Sequence, residues 1–333
     1  MKLLVTGSSG FIGYHLVSRL LDQGHEVVGL DALTDYYSVA LKQARLAMLD
    51  GRSGFRQLPG RVETPGLLRD LLAEERPEVI VHFAGQAGVR HSIEEPRSYL
   101  TSNMQGGFEL LEAVRAHPVK HLLIASTSSV YGANTEMPYR ETDKTDTPMS
   151  FYAATKKATE AMGHSYAHLF DIPMTFFRFF TVYGPWGRPD MAPSLFADAI
   201  LKGRPIKVFN HGDMRRDFTF VTDLVRAVEA LIDAAPERGK PVGAHDSLSP
   251  VAPHRIVNIG NAEPVRLLDF IGALERALGR EAEKILMDIQ PGDVPATWAE
   301  TSLLRDLTGV EMGTSVEAGV AEFAGWFREY HQL

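Results

Sequence analysis

Leu3-Leu4-Val5-Thr6-Gly7-Ser8-Ser9-Gly10-Phe11-Ile12-Gly13 decides the fold. Its apolar triplet reads as a short strand that stops at Gly7, and from Gly13 to Leu21 apolar residues recur at helical spacing. Between strand and helix stands G-x-x-G-x-x-G. Gly7 lets the chain turn sharply, Gly10 lets backbone N–H groups approach a diphosphate, and Gly13 lets helix and sheet pack closely. Phe11 and Ile12 complete the loop, and the phosphates would rest on the positive end of the helix.

Outward from this stretch the strands repeat. Glu26–Leu30, Val79–Val81, Leu122–Ala125 and Met174–Phe180 are apolar and alternate with helical stretches. Near-continuous apolar strands suit a parallel sheet buried on both faces. The spacing therefore predicts an α/β fold, a Rossmann-type doubly wound parallel sheet over residues 1–180. Asp31 ends the second strand, 18 residues after Gly13. A carboxylate there hydrogen-bonds ribose hydroxyls and repels a 2′-phosphate, and Ala32 and Leu33 add no cation, which favours NAD over NADP. Beyond residue 180, Gly and Pro break the rhythm. Residues 181–333 are expected to form a smaller C-terminal α/β substrate domain, with some chain returning to the first. Helices are expected over Asp223–Ala234, capped by Thr222 or Asp223, and over Leu267–Leu278 and Val316–Tyr330. Pro236–Pro253 reads as a long exposed loop.

Composition narrows the function. The chain has 333 residues, 44% apolar and 23% charged, which suits a globular protein of about two domains and excludes disorder. With no cysteine there is no disulfide, no zinc thiolate and no thiol nucleophile. A net charge of −8 argues against nucleic acid as a partner. No apolar run approaches the ~18 residues of a membrane span. The opening residues lack a signal peptide's long apolar region and cleavage site, so a cytoplasmic location is expected.

Tyr152-Ala153-Ala154-Thr155-Lys156 places a phenol and an ammonium four apart, on one face of a helix. A free Tyr titrates near ~10, and a nearby ammonium or nicotinamide cation favours the phenolate. Tyr152 could then remove a hydroxyl proton while hydride leaves the same carbon. The pair is common by chance, but here it lies downstream of Ser126-Thr127-Ser128-Ser129-Val130-Tyr131-Gly132, a hydroxyl run at the carboxyl end of an apolar strand. Ligands bind at such ends in parallel sheets.

With these pieces placed, the chain resembles the extended short-chain dehydrogenase/reductases, the nucleotide-sugar epimerases and dehydratases. The glycine loop, His82-Phe83-Ala84-Gly85-Gln86, the hydroxyl run before Val130-Tyr131-Gly132, and Tyr152 with Lys156 match in order. The resemblance implies that Thr127 assists Tyr152, that Lys156 holds the nicotinamide ribose, and that Ala84, Gly85, Gln86 and Asn103 lie along the cofactor. The family's Gly-Asp-Ile is here Gly60-Arg61-Val62, so the Asp beside the adenine is missing, although Val62 can pack on the ring. His82–Arg90, Arg178–Asp190 and Val208–Phe218 look like the UDP-glucuronate 4-epimerases. That resemblance implies 4-epimerisation of a UDP-hexuronic acid through a 4-keto sugar, with NAD tightly bound and regenerated. Rival readings are decarboxylation to a pentose, 4-epimerisation of another UDP-hexose, 4,6-dehydration and a non-catalytic NAD-binding regulator. The family commonly dimerises through two helices, here near 98–116 and 151–168, with Phe108, Leu111 and Phe170 in or beside them.

Residues 178–216 carry seven cations against three anions, suited to a diphosphate plus a carboxylate. UDP-sugar contacts are expected from Arg90, Ser128, Thr181, Arg188, Val208, Asn210, Arg216 and Asp293, of which Arg216 and Asp293 match the family's pyrophosphate and ribose contacts. The carboxylate of a uronic acid needs its own clamp, because oxidation at C4 makes a β-keto acid prone to lose CO₂. The hydroxyls of Thr127, Ser128 and Thr181 and the guanidinium groups of Arg188 and Arg90 are the candidates. His164 and His168 have metal-ligand spacing but no third ligand, so no metal is expected. Trp298, Trp326 and Tyr330 read as core or lid aromatics.

Overall fold

The structure, a computed structural model, describes residues 1–290 and 292–333. In chain order the first half runs β1 (Lys2–Thr6), α1 (Phe11–Asp22), β2 (Glu26–Asp31), α2 (Val39–Leu49), β3 (Phe55–Pro59), α3 (Leu67–Glu75) and β4 (Val79–His82). It continues through short helices α4 (His91–Glu94) and α5 (Pro96–Tyr99), a π-helical turn (Leu100–Gln105), α6 (Gly106–Ala116), β5 (His121–Thr127), α7 (Phe151–Phe170) and β6 (Met174–Phe179). The second half adds β7 (Thr181–Tyr183), α8 (Ala192–Leu201), β8 (Ile206–Phe209), β9 (Arg215–Phe220), α9 (Val221–Ile232) and β10 (His254–Ile259). After these come β11 (Pro264–Arg266), α10 (Leu267–Leu278), β12 (Lys284–Met287), β13 (Ala296–Thr297), α11 (Ser302–Thr308) and α12 (Val316–His331).

Among the described residues seven strands form one parallel sheet in the order β10-β6-β5-β4-β1-β2-β3. The strand order reverses between β1 and β4, which opens a crevice at their carboxyl ends. Every residue of β4, β5 and β6 is buried, as a sheet covered on both faces requires. Leu16, Val17, Leu224 and Val228 cover one face, and Leu68, Leu72, Leu110 and Val114 cover the other. The sheet is completed only by β10, which pairs with β6 after the chain has left for the second half and returned. That second half packs α8, α10 and α12 around Phe218, Phe270, Leu274 and Phe323, and pairs β9 with β7, β11 and β13.

One helix start differs from expectation. The helix expected from Asp223 begins at Val221, with Phe220 as its N-cap. Asp223 lies in the first turn, where its carboxylate accepts from the amides of Gly313 and Thr314 and so ties in a distant loop. The stretch expected as an open loop, 236–253, has no helix or strand but is pinned to the body. Asp246 takes both ends of the Arg255 guanidinium, and His164 and His168 reach Ser249 and the Val251 carbonyl. The two histidines thus fasten a loop, and no metal-binding group occurs among the described residues. Nor is any described helix long and apolar enough to cross a membrane.

Candidate active site

A cavity of about 1270 Å³ opens at the carboxyl ends of β1, β4 and β5 and runs on to the second half of the chain. A one-ligand pocket is typically ~300–1,000 Å³, so there is room for two nucleotide-sized ligands.

The glycine loop forms one wall, and its geometry explains its sequence. Gly7 has φ +73°, and a Cβ there would stand 2.9 Å from the Ala84 nitrogen. A Cβ on Gly13 would stand 2.0 Å from the Gly7 carbonyl oxygen. No side chain fits either place, so the loop packs against β4 and α1 backbone to backbone; the amides of Gly7 and Gly10 serve the Leu30 and Gly7 carbonyls, which leaves the first-turn amides of α1 for a ligand. Asp31 closes the loop's far end: its carboxylate accepts from the amides of Ser9 (3.0 Å) and Leu33 (2.8 Å). Gly7, Gly10, Phe11, Ile12, Gly13, Asp31, Val62, Ala84, Gly85 and Gln86 all line the cavity. Asn103 does not. It lies buried one layer behind, accepting from the Gln86 amide (2.8 Å) and donating to the Gln86 carbonyl (3.0 Å) and to Thr155 Oγ1 (3.0 Å). Its work is to shape the Gly85–Gln86 turn, where a Cβ on Gly85 would meet it at 2.7 Å.

The floor is the edge of β5 against α7. Ser150 caps α7, accepting from the Ala153 amide, so the first turn presents Tyr152 to the cavity and the next presents Lys156. The Lys156 ammonium donates to the Ala125 carbonyl at 3.0 Å. Burial pulls its pKa down to about 8, against the attraction of Glu160. Burial also raises the Tyr152 phenol, while a hydrogen bond with Thr127 and the charge of Arg188 lower it. Lys156, expected together with a nicotinamide cation to favour the phenolate, directs its ammonium to β5. Thr127 Oγ1 accepts from the Ser129 amide, which fixes the hydroxyl run at the strand end. Beneath it lies a fully buried ion pair. Arg178 grips Glu160 at 3.0 and 2.9 Å, and Ser126 donates to the same carboxylate at 2.6 Å. Arg178, counted among the substrate-side cations, is therefore spent on holding β5, β6 and α7 together.

The opposite wall comes from separated segments. Thr181, Arg188, Arg216 and Asp293 line it, as do Ser128 and Arg90. Arg188 pairs with Asp190 through Nε (3.0 Å) and Nη2 (2.5 Å), and Tyr36 donates to the same carboxylate at 3.0 Å. Burial works against that charged pair, but Arg188 holds the Asp190 carboxyl below its usual range. Arg216 donates to Asp293 at 3.0 Å, and Arg90 lies 3.8 Å from the other oxygen of that carboxylate, over the ring of Phe209. Arg90 thus groups with Arg216 rather than with Arg188. Val208 and Asn210 stay out of the cavity. Strand alternation turns Val208 into the core and exposes Phe209 instead, and Asn210 donates to the Asp213 carbonyl.

Sequence reasoning missed Tyr36, Tyr37, Lys42 and Phe209, which line the cavity, and Arg45 behind it. The signal for Arg45 was present: it shares an i, i+4, i+8 stripe with Leu41 and Leu49, both buried. Trp326 and Tyr330 do pack as aromatics, against Trp186 at 5.5 and 5.3 Å between ring centres.

A profile of the family described as "NAD dependent epimerase/dehydratase family" matches residues 3–260. Among curated proteins, a probable UDP-glucuronate 4-epimerase of Rhizobium meliloti is 48% identical, over 100% of this chain and 98% of that protein. The UDP-glucuronate 4-epimerase 4 of Arabidopsis thaliana is 43% identical, over 99% of this chain and 76% of that protein. Among solved structures, the UDP-glucuronic acid 4-epimerase from Bacillus cereus, in complex with UDP-glucuronic acid and NAD, superposes with a TM-score of 0.88 at 31% identity. That match covers 99% of this chain and 100% of the other.

Proposed function

We propose, from the premise that the chain belongs to the NAD dependent epimerase/dehydratase family, that it is an enzyme catalysing 4-epimerisation of UDP-glucuronate to UDP-galacturonate. One observation carries the reading: Tyr152 with Thr127, and Arg188 with Thr181, open into the same cavity as the glycine loop. The loop fits a dinucleotide because the positive end of α1 opens into the cavity and the glycines let loop, β4 and helix pack so closely that no Cβ intrudes at Gly7 or Gly13. NAD held there would supply a reversible hydride acceptor for C4 of the sugar.

The chain's own residues do the rest. Gly7, Gly10, Phe11, Ile12 and Gly13 hold the diphosphate, Asp31 the adenosine ribose and Val62 the adenine; Ala84, Gly85 and Gln86 line the nicotinamide side. Tyr152 takes the C4 hydroxyl proton and gives it back after the keto sugar has turned over. Thr127 hydrogen-bonds the phenol, and Lys156 holds the nicotinamide ribose. Arg216 and Asp293, with Arg90 and Phe209 beside them, receive the UDP portion. Ser128, Thr181 and Arg188 hold the carboxylate, keeping its bond to C5 out of line with the C4 carbonyl so that CO₂ is retained. In this division of labour residues 1–180 bind the cofactor and carry the catalytic Tyr152 and Thr127, with Arg90 and Ser128 turned to the sugar nucleotide, and 181–333 supply its remaining contacts. The protein works in the cytoplasm as a homodimer, for which the exposed Leu100, Phe108, Phe151 and Phe170 supply an apolar face on the helices flanking β5, whereas Leu111 is core.

The test is incubation with UDP-glucuronate without added NAD, with products identified by mass and NMR. An isomer of unchanged mass, inverted at C4, is the expected product. A product lighter by CO₂ would make the protein a decarboxylase, and unchanged substrate would make it a binder.

A further inference from the structure

Arg45 is a buried charge to which the proposed chemistry gives no task. Arg45, in the middle of α2, is fully shielded from solvent, and every group that accepts from it is neutral. Its guanidinium donates to the Trp186 carbonyl twice (3.1 and 2.6 Å), to the Gly187 carbonyl (3.4 Å), to the Tyr37 hydroxyl (2.8 Å) and to the Ser9 carbonyl (3.2 Å). Burying a cation with no counter-charge is unfavourable, and a well-packed apolar side chain would usually serve stability better.

One bond holds Tyr37, just ahead of α2; the other four reach two distant segments and join them. Ser9 belongs to the glycine loop, and its amide is already fixed by Asp31. Trp186 and Gly187 belong to the turn that carries Arg188. That turn is strained: Trp186 sits at φ +61°, a region bulky residues avoid unless their surroundings impose it. Arg45 supplies part of that imposition. The rest comes from α1, where His15 Nε2 lies 2.9 Å from the Pro185 carbonyl. Three successive carbonyls of the substrate turn are therefore held from the elements that flank the cofactor loop.

We propose that Arg45 is a positioning residue that couples the cofactor loop to the substrate turn: a dinucleotide diphosphate on the loop supplies the missing counter-charge, and Arg45, held there, keeps Trp186 in the conformation that aims Arg188 at the sugar. The coupling rests on the proposed function in one respect, that Arg188 faces the substrate.

The experiment uses Arg45→Met and Arg45→Lys, purified with their NAD. NAD retention on dilution is measured first, then KM and kcat for UDP-glucuronate. The methionine variant should lose NAD about tenfold faster and show a KM raised about tenfold, with kcat within about threefold of wild type. The lysine variant restores the charge and should recover NAD retention to within about threefold. It should keep the raised KM, because an ammonium cannot grip Ser9 and both turn carbonyls in one plane. Unchanged NAD retention and KM in the methionine variant would overturn the coupling, even with a lowered melting temperature, since Arg45 would then be merely structural. If the methionine variant does not fold, an unchanged KM in the lysine variant overturns it instead. A lysine variant that sheds NAD as fast as the methionine variant would overturn the electrostatic link. Arg188→Ala, assayed alongside, isolates the underlying reading. If it leaves KM unchanged while the Arg45 variants raise it, Arg188 does not meet the sugar but the loop still governs the turn.

Discussion

The two walls of the cavity are made of different material. The proposed cofactor wall is largely main chain: the loop from Gly7 to Gly13, with no room for a Cβ at either end, and one carboxylate, Asp31, that accepts from the amides of Ser9 and Leu33. The proposed substrate wall is side chain: Arg188 against Asp190, and Arg216 against Asp293. Main-chain donors locked by sterics do not rearrange when a ligand leaves. Ion pairs do, since each cation already has a partner to which it can return. The contrast matches what the proposed reaction asks, a cofactor that stays through many cycles and a sugar that must turn over and depart.

Substitutions can break this contrast. Gly13→Ala should have the largest effect, because the clash at 2.0 Å is backbone against backbone and nothing flexible can relieve it. The variant is expected to purify without dinucleotide, judged by ultraviolet absorbance; retained NAD would mean the loop is more pliable than its geometry. Next comes Tyr152→Phe, which removes the proton acceptor and keeps the ring. Turnover should fall by ~10²–10⁴ while both ligands still bind. Activity within about tenfold of wild type would place the base elsewhere. Arg216→Ala leaves Asp293 only the more distant Arg90 and should raise KM by about 10–100-fold with little change in kcat, from loss of one charge-assisted contact. A kcat defect of that size with an unchanged KM would contradict its place on the exchanging wall. Asp31→Ala should lessen discrimination against NADP by about tenfold, the smallest of the binding effects. Wild-type protein that binds NADP as well as NAD would remove that role from Asp31.

Acid should weaken both walls together, because the sheet beneath them holds neutral histidines. Burial lowers His82 to about 3 and His121 and His254 to about 4. The folded chain then binds fewer protons than the unfolded chain below about pH 6.5, so their contribution is unimpaired above that pH and is lost as pH falls toward 4. The melting temperature should drop several degrees between about pH 7 and about pH 5. A flat profile would mean these histidines are protonated in the fold.

The same contrast decided what could be read in advance. The cofactor wall was legible because its chemistry is contiguous, packed into eight residues from Thr6 to Gly13 and one Asp at the next strand end. Tyr152 and Lys156 were legible through helical spacing beside a hydroxyl run. The substrate wall converges from segments near 90, 128, 181, 188, 216 and 293, so position along the chain says little about position in space. There the motif pointed to Val208 and Asn210, whereas pleating puts their neighbour Phe209 at the cavity. Asn103 was legible as a cofactor-side residue but not as one acting through Gln86. Composition gave no hint that Arg178 serves Glu160, since a buried pair and a ligand-facing cation look alike in a sequence.

The late arrival of β10 has a consequence for how the molecule is made. Its partner β6, Met-Thr-Phe-Phe-Arg-Phe, is wholly buried in the finished sheet, yet 74 residues lie between Phe179 and His254. At about 5–20 residues per second a ribosome needs on the order of 4–15 s to deliver the missing strand. Until β10 arrives the outer edge of β6 has no partner strand, and an unpaired strand edge is the kind of template on which chains pair with one another. Synthesis speed and holdase capture therefore bear on the yield of this protein more than the stability of its completed fold suggests.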